Sequence, residues 1–330
     1  MVLACTLCQA GESVRFENPV PITVSAQARQ FLSDLHAPTP LVLPDAQDAA
    51  GWRKIQQDYE NRSAGAMSRI REQYQPQIRS ATYAGVPVLD IRPRDYHPDR
   101  RVVIFVHGGG YVMGSAASSL GASVPMASDS GLRIISVDYS LAPETPYDRM
   151  VDQVVRVIEA VIKEGHPPSS LAVMGVSAGG GLATGSLLRM QAEGKPLPAT
   201  LLLWSPAADL AMQGETMTTL ARYEPAFDVS QAHEMLGMVA PPGRLNDPVV
   251  SPVHGKFGPS FPPTLIQGGT REVLLSGFVR LYQAIDTQGG MARLDLYEGM
   301  VHTFQEIRPD LPESQLARRK SAAFLIQHLK

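Results

Sequence analysis

Leu171-Ala172-Val173-Met174-Gly175-Val176-Ser177-Ala178-Gly179-Gly180-Gly181 decides the fold. The apolar run from Leu171 to Val176 reads as a buried strand, and the residues after Ser177 open a helix. Gly175-Val176-Ser177-Ala178-Gly179 fits G-x-S-x-G, a nucleophile elbow. A serine on a sharp strand-to-helix turn sits in strained backbone geometry. Small residues are therefore needed two positions before it and two after. The turn lifts the hydroxyl out of the sheet and sets it at a helix N-terminus, where free N–H groups can receive an oxyanion. Alone the motif is short, and a glycine-rich turn with an incidental serine would look the same.

A second stretch narrows the reading. Arg101-Val102-Val103-Ile104-Phe105-Val106 is another β-branched apolar run, followed by His107-Gly108-Gly109-Gly110-Tyr111. A strand followed by H-G-G-G supplies oxyanion donors from backbone amides. Its glycines let main chain approach a carbonyl oxygen with no side chain in the way. Either motif alone is weak, but both in this order are hard to obtain by chance.

Working outward, helices are expected over 25–36, with Phe31, Leu32 and Leu35 as an apolar stripe, and over 46–75, with Trp52, Ile55, Tyr59, Met67 and Ile70 inward. A hairpin about Gly85 within 82–92 follows. Strands 102–106, 133–139, 171–176, 200–204, 264–267 and 293–297 then alternate with helices over 119–130, 147–164, 178–192, 274–288 and 313–329. This alternation predicts the α/β class: a mostly parallel central sheet with helices on both faces and an antiparallel edge. Residues 1–80 precede the alternating core and are expected to form an N-terminal helical cap. Residues 81–330 form the catalytic domain, and an insertion at 206–258, with a helix near 230–238, adds to the cap.

Composition removes several function classes. The chain has 330 residues, 44% hydrophobic and 18% charged, enough for one large domain with a small cap. A net charge of −3 gives no footprint for nucleic acid or an anionic membrane. No apolar run approaches the roughly 18 residues of a membrane span, and the N-terminus lacks the basic start of a signal peptide. Val2-Leu3-Ala4-Cys5 has only a faint likeness to a lipoprotein box. Cys5 and Cys8 are the only cysteines, and they lack a second ligand pair. They read as two free thiols, and a cytoplasmic protein is expected. No cluster has metal-ligand spacing, so neither metal nor cofactor is expected.

A serine nucleophile needs a base, and the base needs an orienting acid. Of the histidines after Ser177, His302 follows the last strand, on the edge of the sheet that Ser177 faces. His233, His254 and His328 lie in the insertion or the final helix. Glu272, in Gly268-Gly269-Thr270-Arg271-Glu272, follows the preceding strand, and Gly268-Gly269 would permit a sharp exit. Asp209, at the mouth of the insertion beside Pro206, is the rival acid. Glu272 is favoured by its strand, although a carboxylate there could equally serve the first turn of a helix.

His107-Gly108-Gly109-Gly110, Asp138-Tyr139-Ser140-Leu141-Ala142-Pro143-Glu144, Gly175-Val176-Ser177-Ala178-Gly179-Gly180 and Gly299-Met300-Val301-His302 together resemble the hormone-sensitive-lipase-like, bacterial family IV esterases. The resemblance runs from about residue 80 to the C-terminus. It implies the α/β-hydrolase fold, a helical cap, and hydrolysis of small, short-chain or aryl carboxylic esters by Ser177, Glu272 and His302. Carried over by position, the oxyanion donors are the amides of Gly109, Gly110 and Ala178. The same parts could serve a lactone, carbamate or amide hydrolase or an acyltransferase. Receptors on this fold bind a small molecule without turnover, but typically lack the histidine. Two departures stand out. Val176 replaces the family's usual Asp or Thr before the nucleophile, so a polar link to neighbouring loops is expected to be missing. Glu272-Val273-Leu274 replaces Asp-Pro-Leu. Met67, Tyr223, Phe227 and Met238 are candidate pocket residues, and an exposed final strand, 293–297, is expected to pair in a homodimer.

Overall fold

Strand β3 (Val102–Val106) buries all five side chains, on two faces. Val102, Ile104 and Val106 point into one apolar cluster, Val103 and Phe105 into another. This is the period-two geometry of a strand covered on both sides. In the computed structural model, which describes residues 15–330, the pattern recurs in the inner strands of an eight-stranded sheet. Cys5, Cys8 and the Val2–Cys5 stretch lie outside the described residues.

In chain order the elements are α1 (Ala26–Ser33), α2 (Ala49–Tyr74), β1 (Gln77–Tyr83), β2 (Val86–Arg92), β3, α3 (Leu120–Ser130), β4 (Arg133–Val137), α4 (Tyr147–Lys163) and β5 (Leu171–Val176). There follow α5 (Ala178–Ala192), β6 (Thr200–Trp204), α6 (Thr216–Thr219), α7 (Val229–Val239), β7 (Thr264–Gly269), α8 (Leu275–Asp286), β8 (Ala292–Tyr297), α9 (Phe304–Ile307) and α10 (Pro312–His328). The sheet order is β1-β2-β4-β3-β5-β6-β7-β8. The β1–β2 and β2–β4 pairs are antiparallel and the rest parallel. α4, α5 and α8 cover one face, α3 and α10 the other. Trp204 is fully buried on the second face, and its indole N–H donates to Ser321 Oγ at 3.1 Å.

Three strand boundaries differ from the sequence reading by two residues or more. β1 begins at Gln77, ahead of the expected hairpin and of residue 80, because its residues pair with β2 up to Gln77 and Arg92. Its turn, Ala84-Gly85, has φ of 47° and 79°, the doubly positive turn that suits a tight hairpin. β4 stops at Val137. β7 runs on through Gly268 and Gly269, so these glycines do not make a sharp exit. They let packed groups close in: a Cβ on Gly269 would meet Met300 O at 2.0 Å.

The N-terminal helices take different places. Ser25 caps α1 through Ala28 N–H, and Ala28 and Leu32 pack with Tyr297, Met300, Val301 and Phe304. α1 thus buttresses the loop after β8 and lines no part of the main cavity. α2, capped by Asp48, buries Trp52 and Ile55 beside Tyr111 and Val112, and Ile70 beside α3. Between α1 and α2, Leu41 and Leu43 turn inward while Val42 is exposed. Among the described residues no helix is long and apolar enough to cross a membrane.

Candidate active site

Ser177 sits at the tip between β5 and α5 with φ 53° and ψ −122°. A side chain held there costs about 1–3 kcal/mol, which the surrounding packing must offset. The flanking glycines make the turn sterically possible. A Cβ on Gly175 would lie 2.5 Å from Gly179 O, and one on Gly179 would lie 2.1 Å from Val106 O. The second contact also sets the elbow against the end of β3, so the two glycine motifs meet. Val176, before the serine, is fully buried in the apolar cluster of α3 and α10. The position serves the core where a polar link was expected to be missing.

The loop after β3 curls around that tip. Gly109 and Gly110 have φ of 105° and 60°, backbone that suits glycine, and both line the cavity. Among the described residues, the N–H groups of Gly109, Gly110 and Ala178 donate to no other backbone group. Ala178 opens α5, so its free amide is the usual unpaired donor of a helix start. His107 is buried and stacks on Tyr139, with ring centroids 4.1 Å apart. Its Nδ1–H donates to Gly108 O at 2.8 Å, and the Tyr139 hydroxyl donates to His107 O at 3.0 Å. Burial holds this imidazole below its ordinary value, against the Gly108 bond and the Asp138 charge. His107 and Tyr139 brace the glycine loop.

His302 lies in the loop after β8. Its Nε2 is 2.9 Å from Ser177 Oγ, and its Nδ1 is 2.7 Å from Glu272 Oε2. Glu272 is fully buried in the loop before α8, not in that helix's first turn. Its second oxygen accepts Gly269 N–H at 2.5 Å and the Ser205 hydroxyl at 2.8 Å. Serine, histidine and glutamate therefore stand in series. Asp209 stands apart: its carboxylate pairs with Arg280 and accepts the amides of Ala211 (3.1 Å) and Gln213 (3.2 Å). It caps a turn.

Three residues at this centre have no motif to announce them. Ser205, just after β6, has φ 48° and accepts Thr303 N–H at 3.1 Å while donating to Glu272. It ties the Glu272 loop to the His302 loop. A polar residue directly after a core strand was the one signal for it. Glu224 is 1% exposed and accepts Ala226 N–H at 2.9 Å and Val273 N–H at 3.3 Å. Burial pushes its carboxyl up to about 7, against the His302 charge and the amides, with the Glu272 charge adding to the rise. Glu306, one turn beyond His302, is raised by burial to about 7 against the His302 charge. Burial pulls the His302 imidazole down, and the Glu272 hydrogen bond and charge work against it. With the Glu224 and Glu306 charges behind, the imidazole lies above its ordinary value.

Ser177 and His302 open onto a cavity of about 370 Å³. Its roof comes from Leu41 and Leu43 and from Gln231, Ala232, Met235 and Leu236 of α7. Gln231 clasps the two pieces: it accepts Leu41 N–H at 2.9 Å and donates to Leu41 O at 2.6 Å. Of the four candidate lining residues only Phe227 lines the cavity, edge-on to His302 with ring centroids 5.3 Å apart. Met238, one turn along α7 from Met235, packs against the apolar core and does not line the cavity. Met67 packs toward α3, and Tyr223 is not among the lining residues.

The profile of a family described as having the alpha/beta hydrolase fold matches residues 103–306. The chain is 32% identical over 232 residues to an acetyl-hydrolase of Streptomyces hygroscopicus, covering 70% of this chain and 77% of that protein. It is 29% identical over 253 residues to an esterase of Acinetobacter venetianus, covering 75% and 81%. The crystal structure of esterase E25 superposes with a TM-score of 0.88 at 26% identity, over 98% of this chain and 99% of that one. An esterase of the bacterial hormone-sensitive lipase family superposes at 0.79 and 28% identity, over 88% and 94%. The chain belongs to the α/β-hydrolase family, in its hormone-sensitive-lipase-like esterase branch.

Proposed function

We propose that the protein hydrolyses small carboxylic esters through an acyl-enzyme on Ser177. The observation that carries this reading is the 2.9 Å and 2.7 Å contacts from Ser177 through His302 to Glu272. Ser177 Oγ attacks the ester carbonyl as His302 Nε2 takes its proton. Glu272 keeps Nδ1 protonated, fixes the tautomer and stabilises the imidazolium that forms. The tetrahedral oxyanion rests on the amides of Gly109, Gly110 and Ala178, and one such donor is worth about 10²–10³ in kcat. His302 then protonates the leaving alcohol, and water releases the acyl group with the roles reversed. No step calls for a metal or cofactor. The strap at 39–43 and α7 act as the cap. The edge strand β8 supports a homodimer, and a sequence with only two cysteines supports a place inside the cell.

A fluorophosphonate probe tests the reading. The intact protein is expected to label covalently, and Ser177→Ala to lose both labelling and p-nitrophenyl butyrate hydrolysis. A folded protein that binds small esters but neither labels nor hydrolyses would be a receptor, and the proposal would fall.

A further inference from the structure

The wall of the main cavity is divided. Most of it is apolar, including Leu41, Met113, Met212, Phe227 and Met235. The remainder includes Tyr59, Ser119, Thr303 and Glu306, whose side chains make no hydrogen bond to another described residue. Ser119 is 4% exposed and Thr303 8%. Their polar atoms open onto the cavity, so a ligand that displaces water there must supply partners for them or leave them unpaired, at about 1–3 kcal/mol each.

Separate elements bring these four together. Glu306 N–H donates to Thr303 O at 2.9 Å, which places the two a turn apart directly after His302. Glu306 packs on α3, where a Cβ on Gly121 would lie 3.4 Å from its Cγ. Gly121 is two residues from Ser119. Tyr59 reaches in from α2, close enough that the Glu306 charge adds to the upward push of burial on its phenol. Three hydroxyls can both donate and accept, and a carboxylate accepts. That set matches an alcohol, which also does both. Arg62, exposed at the cavity's edge, disfavours an ammonium group in the same place.

We propose that Tyr59, Ser119, Thr303 and Glu306 form a polar subsite for a hydroxyl carried by the substrate, making hydroxylated short esters the preferred class. This rests on the reading of the cavity as an ester-hydrolase site, with Ser177 as nucleophile. The subsite orients the substrate beside the serine and takes no part in bond breaking.

Matched esters test it on either side of the scissile bond. 2-Hydroxyethyl butyrate is set against propyl butyrate, and each enantiomer of methyl 3-hydroxybutyrate against methyl 3-methylbutyrate. At least one hydroxylated ester is expected to exceed its isostere by about tenfold or more in kcat/KM, the scale of one well-placed polar contact. Glu306→Met, Ser119→Ala and Tyr59→Phe should each pull that ratio toward one, as read on variants with a cooperative melt. Tyr59→Phe removes one atom at a partly exposed position, so at least one variant is expected to fold. Ratios near or below one for every pair in the wild-type enzyme would overturn the subsite while the esterase reading stands. So would a high ratio unchanged in the folded variants. Failure to hydrolyse any ester, the apolar ones included, would overturn both.

Discussion

Ser205 donates to Glu272 at 2.8 Å and, with the same oxygen, accepts the amide of Thr303 next to His302 at 3.1 Å. One hydroxyl thus links the Glu272 loop to the His302 loop. Ser205→Ala leaves the Thr303 amide unpaired and one Glu272 oxygen with only Gly269 N–H. Leaving such buried groups unpaired costs about 1–3 kcal/mol of stability. Activity should fall more than stability requires, with kcat down about tenfold or more as the His302 ring loses its fixed seat. Thermal melting and single-turnover kinetics on the same preparation separate the two effects. A variant with a lowered melt but wild-type kcat would make Ser205 a structural residue only.

Glu272→Gln should lower kcat by about 10³–10⁴ while the protein stays folded, because an amide cannot hold the imidazole in the needed tautomer or balance its charge. Asp209→Asn should act otherwise. Its carboxylate pairs with Arg280 and caps a turn, so its loss lowers the melting temperature and leaves kcat near wild type. Steady-state kinetics with circular dichroism melts on both variants give the comparison. The reverse pattern would move the acid to Asp209.

The pH profile follows from the charges around His302. The reaction needs a neutral imidazole, so kcat/KM falls as pH drops through its folded value. That value lies above 6.5, because Glu272, Glu224 and Glu306 together outweigh burial. The acid limb should therefore have its midpoint above 6.5. Glu224→Gln removes one of these charges and should move the midpoint down. Stability has its own sign. Glu224 ionises near 7 in the folded protein and near 4.5 when unfolded, so the native state holds the extra proton between those values. Its contribution is present below about 4.5 and is lost as pH rises through about 7. The wild-type melting temperature should drop more between pH 5 and pH 8 than that of Glu224→Gln. An unmoved acid limb in the variant would show that Glu224 does not act on His302.

The sheet and the Ser177–His302–Glu272 series were legible because each follows a strand whose apolar run and glycines have few alternative readings. Val102–Val106 and Leu171–Val176 must be covered on both faces, and Gly175 and Gly179 must be small for the elbow to close. The roof was not legible. Which face of α7 turns inward depends on how residues 39–43 lie against it. Met235 and Met238 have the same chemistry and lie one turn apart on the same side of α7, yet only Met235 reaches the cavity. Glu224 was hidden for a related reason. Its role comes from the amides of Ala226 and Val273, and the second lies 49 residues away in sequence. Gly268 and Gly269 carried a real signal that was misread: the small side chains admit Phe278 and Met300 and do not bend the chain.

The clasp between Gln231 and Leu41 bears on substrate size. Two reciprocal hydrogen bonds join the strap to α7 across a cavity of about 370 Å³. Leu41 and Leu43 face into that cavity, while Val42 between them is exposed and adds nothing to hold the strap down. A roof so held favours short acyl chains, and p-nitrophenyl butyrate should be hydrolysed with higher kcat/KM than the palmitate. Gln231→Ala removes both bonds without touching Ser177, His302 or Glu272. Each lost bond is worth about 0.5–1.5 kcal/mol, enough to shift the strap's open fraction by about an order of magnitude. The KM for butyrate should rise, the butyrate-to-palmitate ratio should shrink, and amide hydrogen exchange should quicken over 39–43. Exchange that quickens with an unchanged ratio would mean the strap opens but does not select. If neither changes, the apolar contacts of Leu41 and Leu43 alone hold the roof, and the selection of short chains must come from the floor at Met113 and Met212.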